Sequence, residues 1–152
     1  HALFFGEGGD GLIARELWLP RPGWLEGLAV RHRLALFTGR SRPELAVTLR
    51  RAGCEALFDP VVTSDDVVRG KPAPDGLLAI LGATGEGARL LFVGDTVDDA
   101  ASARAAGVPF VGVVAPGSAS PEASRRALAG AGALAVLADV HEVEAVAGEL
   151  WR

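Results

Sequence analysis

A chain of 152 residues, 49% apolar and 22% charged with a formal net charge of -4, has the make-up of an ordinary globular protein with room for one core. Its arginines are scattered and its balance is acidic, which argues against nucleic acid or an anionic membrane surface as a partner, and no apolar run approaches the ~20 residues of a membrane span. The lone cysteine, Cys54, excludes an internal disulfide and fits a reducing cytoplasm.

In chain order, a short apolar run at 2–5 leads into Gly6-Glu7-Gly8-Gly9-Asp10-Gly11, which matches the G-x-G-x-x-G of a dinucleotide-binding turn. No acid for a ribose follows the next strand and two prolines cut the helix short, so a glycine-rich loop is the better reading. Residues 34–38, 61–63, 90–95, 109–114 and 133–138 are continuously apolar and bounded by polar residues or glycine, as buried strands are. Between them, 42–52, 74–81, 98–106, 121–129 and 140–150 read as helices, several opened by proline or an acid. The alternation predicts an α/β fold, a three-layer Rossmann-like parallel sheet with helices on both faces.

Three motifs fall at or just beyond strand ends, where open α/β sheets bind their ligands. Thr38-Gly39-Arg40 offers a hydroxyl and backbone amides suited to phosphate oxygens. Gly70-Lys71-Pro72-Ala73-Pro74-Asp75 holds the only lysine among fifteen basic residues, a compact ammonium where the chain otherwise uses arginine. Val93-Gly94-Asp95-Thr96-Val97-Asp98-Asp99 delivers three carboxylates in five residues, a density that calls for a cation; hard oxygen ligands in small number suit Mg2+, with Asp95 at the strand tip the best ligand candidate. Asp98 and Asp99 also suit the cap of the following helix. Hydroxyl, lysine and acids in that order make up a phosphoryl-transfer site. His32 and His141 lack a nucleophilic partner, and Trp18, Trp24 and Trp151 read as packing residues.

These motifs, with Ala52-Gly53 before Phe58-Asp59 and Ala105-Ala106-Gly107-Val108 after the acids, resemble the second to fourth motifs of the haloacid dehalogenase-like hydrolases, in particular their phosphoglycolate-phosphatase-like branch, over residues 20–115. The resemblance implies a Mg2+-dependent phosphatase with an aspartyl-phosphate intermediate, acting on a small phosphorylated metabolite. It implies that Thr38, Gly39, Arg40 and Lys71 hold the phosphoryl group, that Asp95 binds the metal and that Asp99 is a supporting acid and second metal candidate. The family's first motif, Asp-x-Asp-Gly at the end of an apolar strand, supplies the nucleophile, and no Asp-x-Asp occurs in this sequence. Residues 1–19 resemble the exit from a cap and 20–152 a core without its first strand. The expectation is therefore a carboxyl-terminal portion of a longer protein, inactive alone, with two strand edges left unpaired where the first strand belongs. A domain that has lost its nucleophile and binds phosphate without catalysis is the alternative.

Overall fold

The computed structural model describes residues 18–152, so the expected cap remnant and the glycine-rich loop lie almost wholly outside the described residues. Five parallel strands are seen: β1 (Leu34–Phe37), β2 (Phe58–Val62), β3 (Phe92–Gly94), β4 (Phe110–Val113) and β5 (Ala135–Leu137). Among the described residues six α-helices accompany them, α1 (Trp24–Arg31) before β1, α2 (Arg42–Ala52), α3 (Asp75–Thr84), α4 (Val97–Ala106) and α5 (Pro121–Gly130) between successive strands, and α6 (Val143–Leu150) after β5.

Local chemistry accounts for most boundaries. Helix α2 has proline in its first turn, a capping box between Ser41 and Glu44, and Gly53 in the left-handed conformation at its end (φ 66°). Strand β2 reaches back beyond the expected 61–63 to include Pro60, which a strand tolerates when one edge is unpaired; among the described residues β2 pairs only with β1. Helix α1 was not expected from the sequence: Gly23 precedes it with φ 79° and Gly27 sits inside it, so its apolar stripe is reduced to Leu25 and Leu28. Residues 140–142 form a 3-10 turn capped by Asp139, and α6 starts only at Val143.

The strands form two sheets rather than one. β1 pairs with β2, and β3, β4 and β5 pair in that order, all in parallel. Between β1 and β3 lies a slot of about 770 Å³, walled by residues 34–37 on one side and 90–93 on the other. Both faces are roofed. On one, the core around Phe37, Leu77, Ile80, Ala103 and Phe110 runs continuously from β1 to β4 beneath α3 and α4. On the other, Trp24 of α1 packs with the cores of both sheets. Polar contacts fasten that second roof: Arg31 donates both arms of its fork to Glu144 at 2.8 Å, and Arg21 pairs with Asp139 at 2.8 Å. His141 accepts the Arg21 amide on Nε2, so its Nδ1–H is turned to Asp139, and its ring meets Trp24 edge-on at 4.8 Å. Among the described residues, the facing edges of β1 and β3 have no strand partner, and the slot lies between them.

The first roof depends on a glycine. A Cβ at Gly76 would stand 2.2 Å from Cε2 of Phe37, so the ring and the start of α3 are in contact that leaves no room for a methyl group. Gly76→Ala is expected to destabilise the fold by about 1–3 kcal/mol through overpacking, partly offset by up to about 1 kcal/mol of helix propensity. Denaturant unfolding measures the balance; an unchanged midpoint would mean that Phe37 is free to swing away.

Candidate active site

The carboxyl ends of the strands gather the sequence motifs. Thr38 follows β1 and is held by its amide, which donates to the Val62 carbonyl at 3.0 Å. Its Oγ1 accepts the amide of Arg40 at 3.2 Å, which leaves the hydroxyl proton to donate outward. The Arg40 side chain folds back to Thr48 Oγ1 at 3.0 Å, so the expected phosphate contact by its guanidinium is not prepared; Gly39 is exposed at the same turn.

Lys71 and Asp99 form the centre of the site. Nζ lies 2.6 Å from Oδ1 of Asp99, with the lysine side chain 21% exposed and the aspartate 3%. The ammonium also stands 5.0 Å from the Phe37 ring centre and 5.7 Å from that of Phe92, the two aromatic residues that flank the slot from β1 and β3. Asp99 is drawn inward by the start of α4. Thr96 is the N-cap and Asp99 its reciprocal partner: Oδ2 accepts the amide of Thr96 at 3.0 Å, its hydroxyl at 2.8 Å and the amide of Asp95 at 3.2 Å. Gly94 makes this possible, because a Cβ there would meet the Asp99 carboxylate carbon at 2.7 Å. Burial pushes the Asp99 carboxyl up, but the hydrogen bonds from Lys71 and Thr96 and the lysine charge together outweigh it and hold the group below the usual carboxylate range.

The loop that carries Lys71 is fastened at both ends by residues that the sequence did not single out. Arg69 pairs with both oxygens of Asp75, at 3.2 and 2.7 Å, and the buried hydroxyl of Ser102 on α4 donates to the Ala73 carbonyl at 2.9 Å. Only spacing hinted at the first pair, and a serine in the run Ala100-Ala101-Ser102-Ala103 was the sole trace of the second.

The acids divide by position. Asp95 is exposed just past β3, and its carboxylate has no hydrogen-bond partner among the described residues; Asp98 is exposed on the first turn of α4, away from the buried Asp99. Both oxygens of Asp99 are occupied, so it is prepared to position Lys71 rather than to ligate an ion. Among the described residues no three His, Cys, Asp or Glu side chains converge as a metal centre. A single open carboxylate still fits Mg2+, which keeps several waters and takes one or two carboxylates with substrate phosphate.

A family model described as haloacid dehalogenase-like hydrolase matches residues 5–107. Phosphoglycolate phosphatase of Yersinia pestis is 40% identical over 81 residues, covering 53% of this chain and 35% of that protein. The chain therefore spans about a third of the length of that curated relative. Among solved structures, a putative β-phosphoglucomutase from Thermotoga maritima superposes with a TM-score of 0.70 and 31% identity over 86% of this chain and 60% of its own. A haloacid dehalogenase family hydrolase from Deinococcus radiodurans, with phosphate and sodium bound, gives a TM-score of 0.70 and 26% identity over 97% of this chain and 78% of its own. Matched by the family model over well more than half of its length, the chain belongs to the haloacid dehalogenase-like hydrolases.

Proposed function

We propose that this chain forms the phosphate-holding part of a Mg2+-dependent phosphatase that acts on a small phosphomonoester through an aspartyl-phosphate, the nucleophile being carried on a strand that occupies the slot between β1 and β3. The single observation that supports this reading is the Lys71–Asp99 pair, whose ammonium stands between the rings of Phe37 on β1 and Phe92 on β3, with Thr38 and Asp95 the residues that directly follow those two strands. The relatives named phosphoglycolate phosphatase and the neighbour with bound phosphate support the substrate class.

In this reading, the chain's own residues bind and orient. The Thr38 hydroxyl donates to one phosphoryl oxygen, with the exposed turn at Gly39 beside it. Lys71, anchored to Asp99 by one donor, turns its remaining ammonium protons towards the open side, where they balance charge on both the phosphoryl group and an attacking carboxylate. Asp95 would hold Mg2+, which when bound neutralises charge on the phosphoryl oxygens. The slot's mostly apolar walls suit the side chains of an apolar strand that carries the nucleophile. Without that strand, residues 1–152 bind phosphate weakly and form no covalent intermediate.

Hydrolysis of p-nitrophenyl phosphate with Mg2+ tests the reading on the complete encoded protein and on residues 1–152 side by side. The complete protein should turn over, lose at least about 100-fold on Asp95→Ala, and leave the 152-residue chain silent. Turnover by residues 1–152 alone would place the nucleophile inside this chain and sink the slot assignment. An inactive complete protein that still binds phosphate would leave the non-catalytic alternative.

The Lys71–Asp99 pair has its own signature in stability. Because the Asp99 carboxyl lies lower in the folded state than in the unfolded chain, its contribution is fully present above the unfolded value of about 3.9 and is lost as pH falls through the folded value. Asp99→Asn should cost about 3 kcal/mol at pH 7, the low end for a severed buried pair since Lys71 keeps 21% of its side chain in water. It should also flatten the acid limb of a stability–pH curve; an identical acid limb in the variant would rule out this pair as its source.

A further inference from the structure

The loop carrying Thr38 is held less by its own strand than by the turn that ends β2. Ser64 donates its amide to the Arg40 carbonyl at 2.9 Å, and the Arg42 amide donates to Oδ2 of Asp65 at 2.8 Å. One oxygen then joins the two segments. Oδ2 of Asp66 accepts the Thr63 amide at 2.8 Å, the Thr63 hydroxyl at 2.6 Å and the Arg42 guanidinium at 2.6 Å. Thr63 is fully buried, so this joint rests on the core. A 3-10 turn needs only the Thr63 cap; the reach of Arg42 from the first residue of α2 is additional, and it spans from the Thr38 loop to the segment that runs on to Lys71 five residues later.

The same arrangement recurs at the neighbouring site. Thr96-Val97-Asp98-Asp99 after β3 and Thr63-Ser64-Asp65-Asp66 after β2 each pair a threonine cap with the aspartate three residues on, and each aspartate binds a cation from another segment, Lys71 of the loop before α3 in one case and Arg42 at the start of α2 in the other. Arg42 is thereby committed to the scaffold and not to a ligand.

We infer that Asp66 is a positioning residue for phosphate binding, acting through Thr63 and Arg42 to fix the Thr38–Arg40 turn and the start of the Lys71 loop in one mutual arrangement. This inference rests on the reading of Thr38 and Lys71 as the phosphate clamp. Hydrogen bonds from Arg42 and Thr63 hold the Asp66 carboxyl well below the usual carboxylate range, in keeping with an anion that stays charged at this joint.

The test titrates inorganic phosphate into the complete encoded protein and follows amide hydrogen exchange by NMR, comparing wild type with Asp66→Asn and Asp66→Glu. Asp66→Asn should weaken phosphate binding by about ten-fold and speed exchange at the Ser64 and Arg42 amides by a similar factor, while amides of β4 and β5 keep their protection. Asp66→Glu, which retains the charge, should recover part of both. Thr63→Val removes only the buried hydroxyl and should move both readouts in the same direction by less, which keeps the test open if Asp66→Asn fails to fold. Faster exchange with unchanged phosphate affinity would reduce Asp66 to a structural cap and overturn the inference, as would unchanged exchange. If the wild type gives no phosphate-dependent shift at Thr38 or Gly39, the clamp reading itself falls and this role with it; a shift in the wild type that Asp66→Asn preserves sinks the role alone.

Discussion

The carboxylate of Asp99 governs how this site is built, because it settles three things with two oxygens. Oδ2 collects the amides of Asp95 and Thr96 and the Thr96 hydroxyl, which starts α4 and fixes the turn that presents Asp95 to solvent. Oδ1 holds Lys71, which ties the loop between β2 and α3 to the first turn of α4. A buried anion with this many donors is stable only if every one is in place, since removing a partner leaves the full desolvation cost of the charge. Gly94, with no Cβ, and Ser102, which fastens the Lys71 loop from α4, are the residues that let the donors and the anion meet. Order at the site thus comes from packing beneath it more than from contacts on its surface.

The slot between β1 and β3 bears on the same point from the other side. Two parallel strand edges left unpaired would ordinarily collapse together or pair with another chain. Among the described residues no strand joins these two edges, and the helices above and below them are bound to each other: α3 and α4 through the Phe37–Ile80–Phe110 core, α1 and α6 through Trp24 and the Arg31–Glu144 fork. The exposed ion pair adds little energy alone, but a bidentate fork gives direction to a roof whose apolar packing supplies the attraction. Preformed edges and walls of this kind reduce the ordering cost of a strand that enters between them.

Most of this architecture was legible from short-range patterns, and its failures have physical causes. Helix α2 could be bounded to the residue because Pro43, Glu44 and Gly53 each act locally. Helix α1 escaped because its two glycines weaken the periodic signal while tertiary contacts of Trp24, Leu25 and Leu28 hold it. The split of the sheet was visible only as an expectation from family resemblance, since strand order depends on contacts between distant residues. Asp99 illustrates the limit within the site: the sequence offers it both as a cap of α4 and as a metal candidate, and only the structure shows that Thr96 is its capping partner and that its other oxygen holds Lys71. Asp66 was missed for a related reason, because its partner Arg42 lies twenty-four residues away and no local pattern links them.

The use of lysine at position 71, in a chain whose fourteen other basic residues are arginines, follows from how Asp99 is spent. An arginine fork reaches its full strength against two carboxylate oxygens. Oδ2 of Asp99 is already engaged by three donors, so only Oδ1 faces the loop, and a guanidinium there would leave most of its five donors without acceptors between the rings of Phe37 and Phe92. An ammonium needs one oxygen for one proton and lies near both aromatic rings with its remaining charge. The capping geometry of α4 therefore selects the cation, and the cation in turn sets what charge the site can hold.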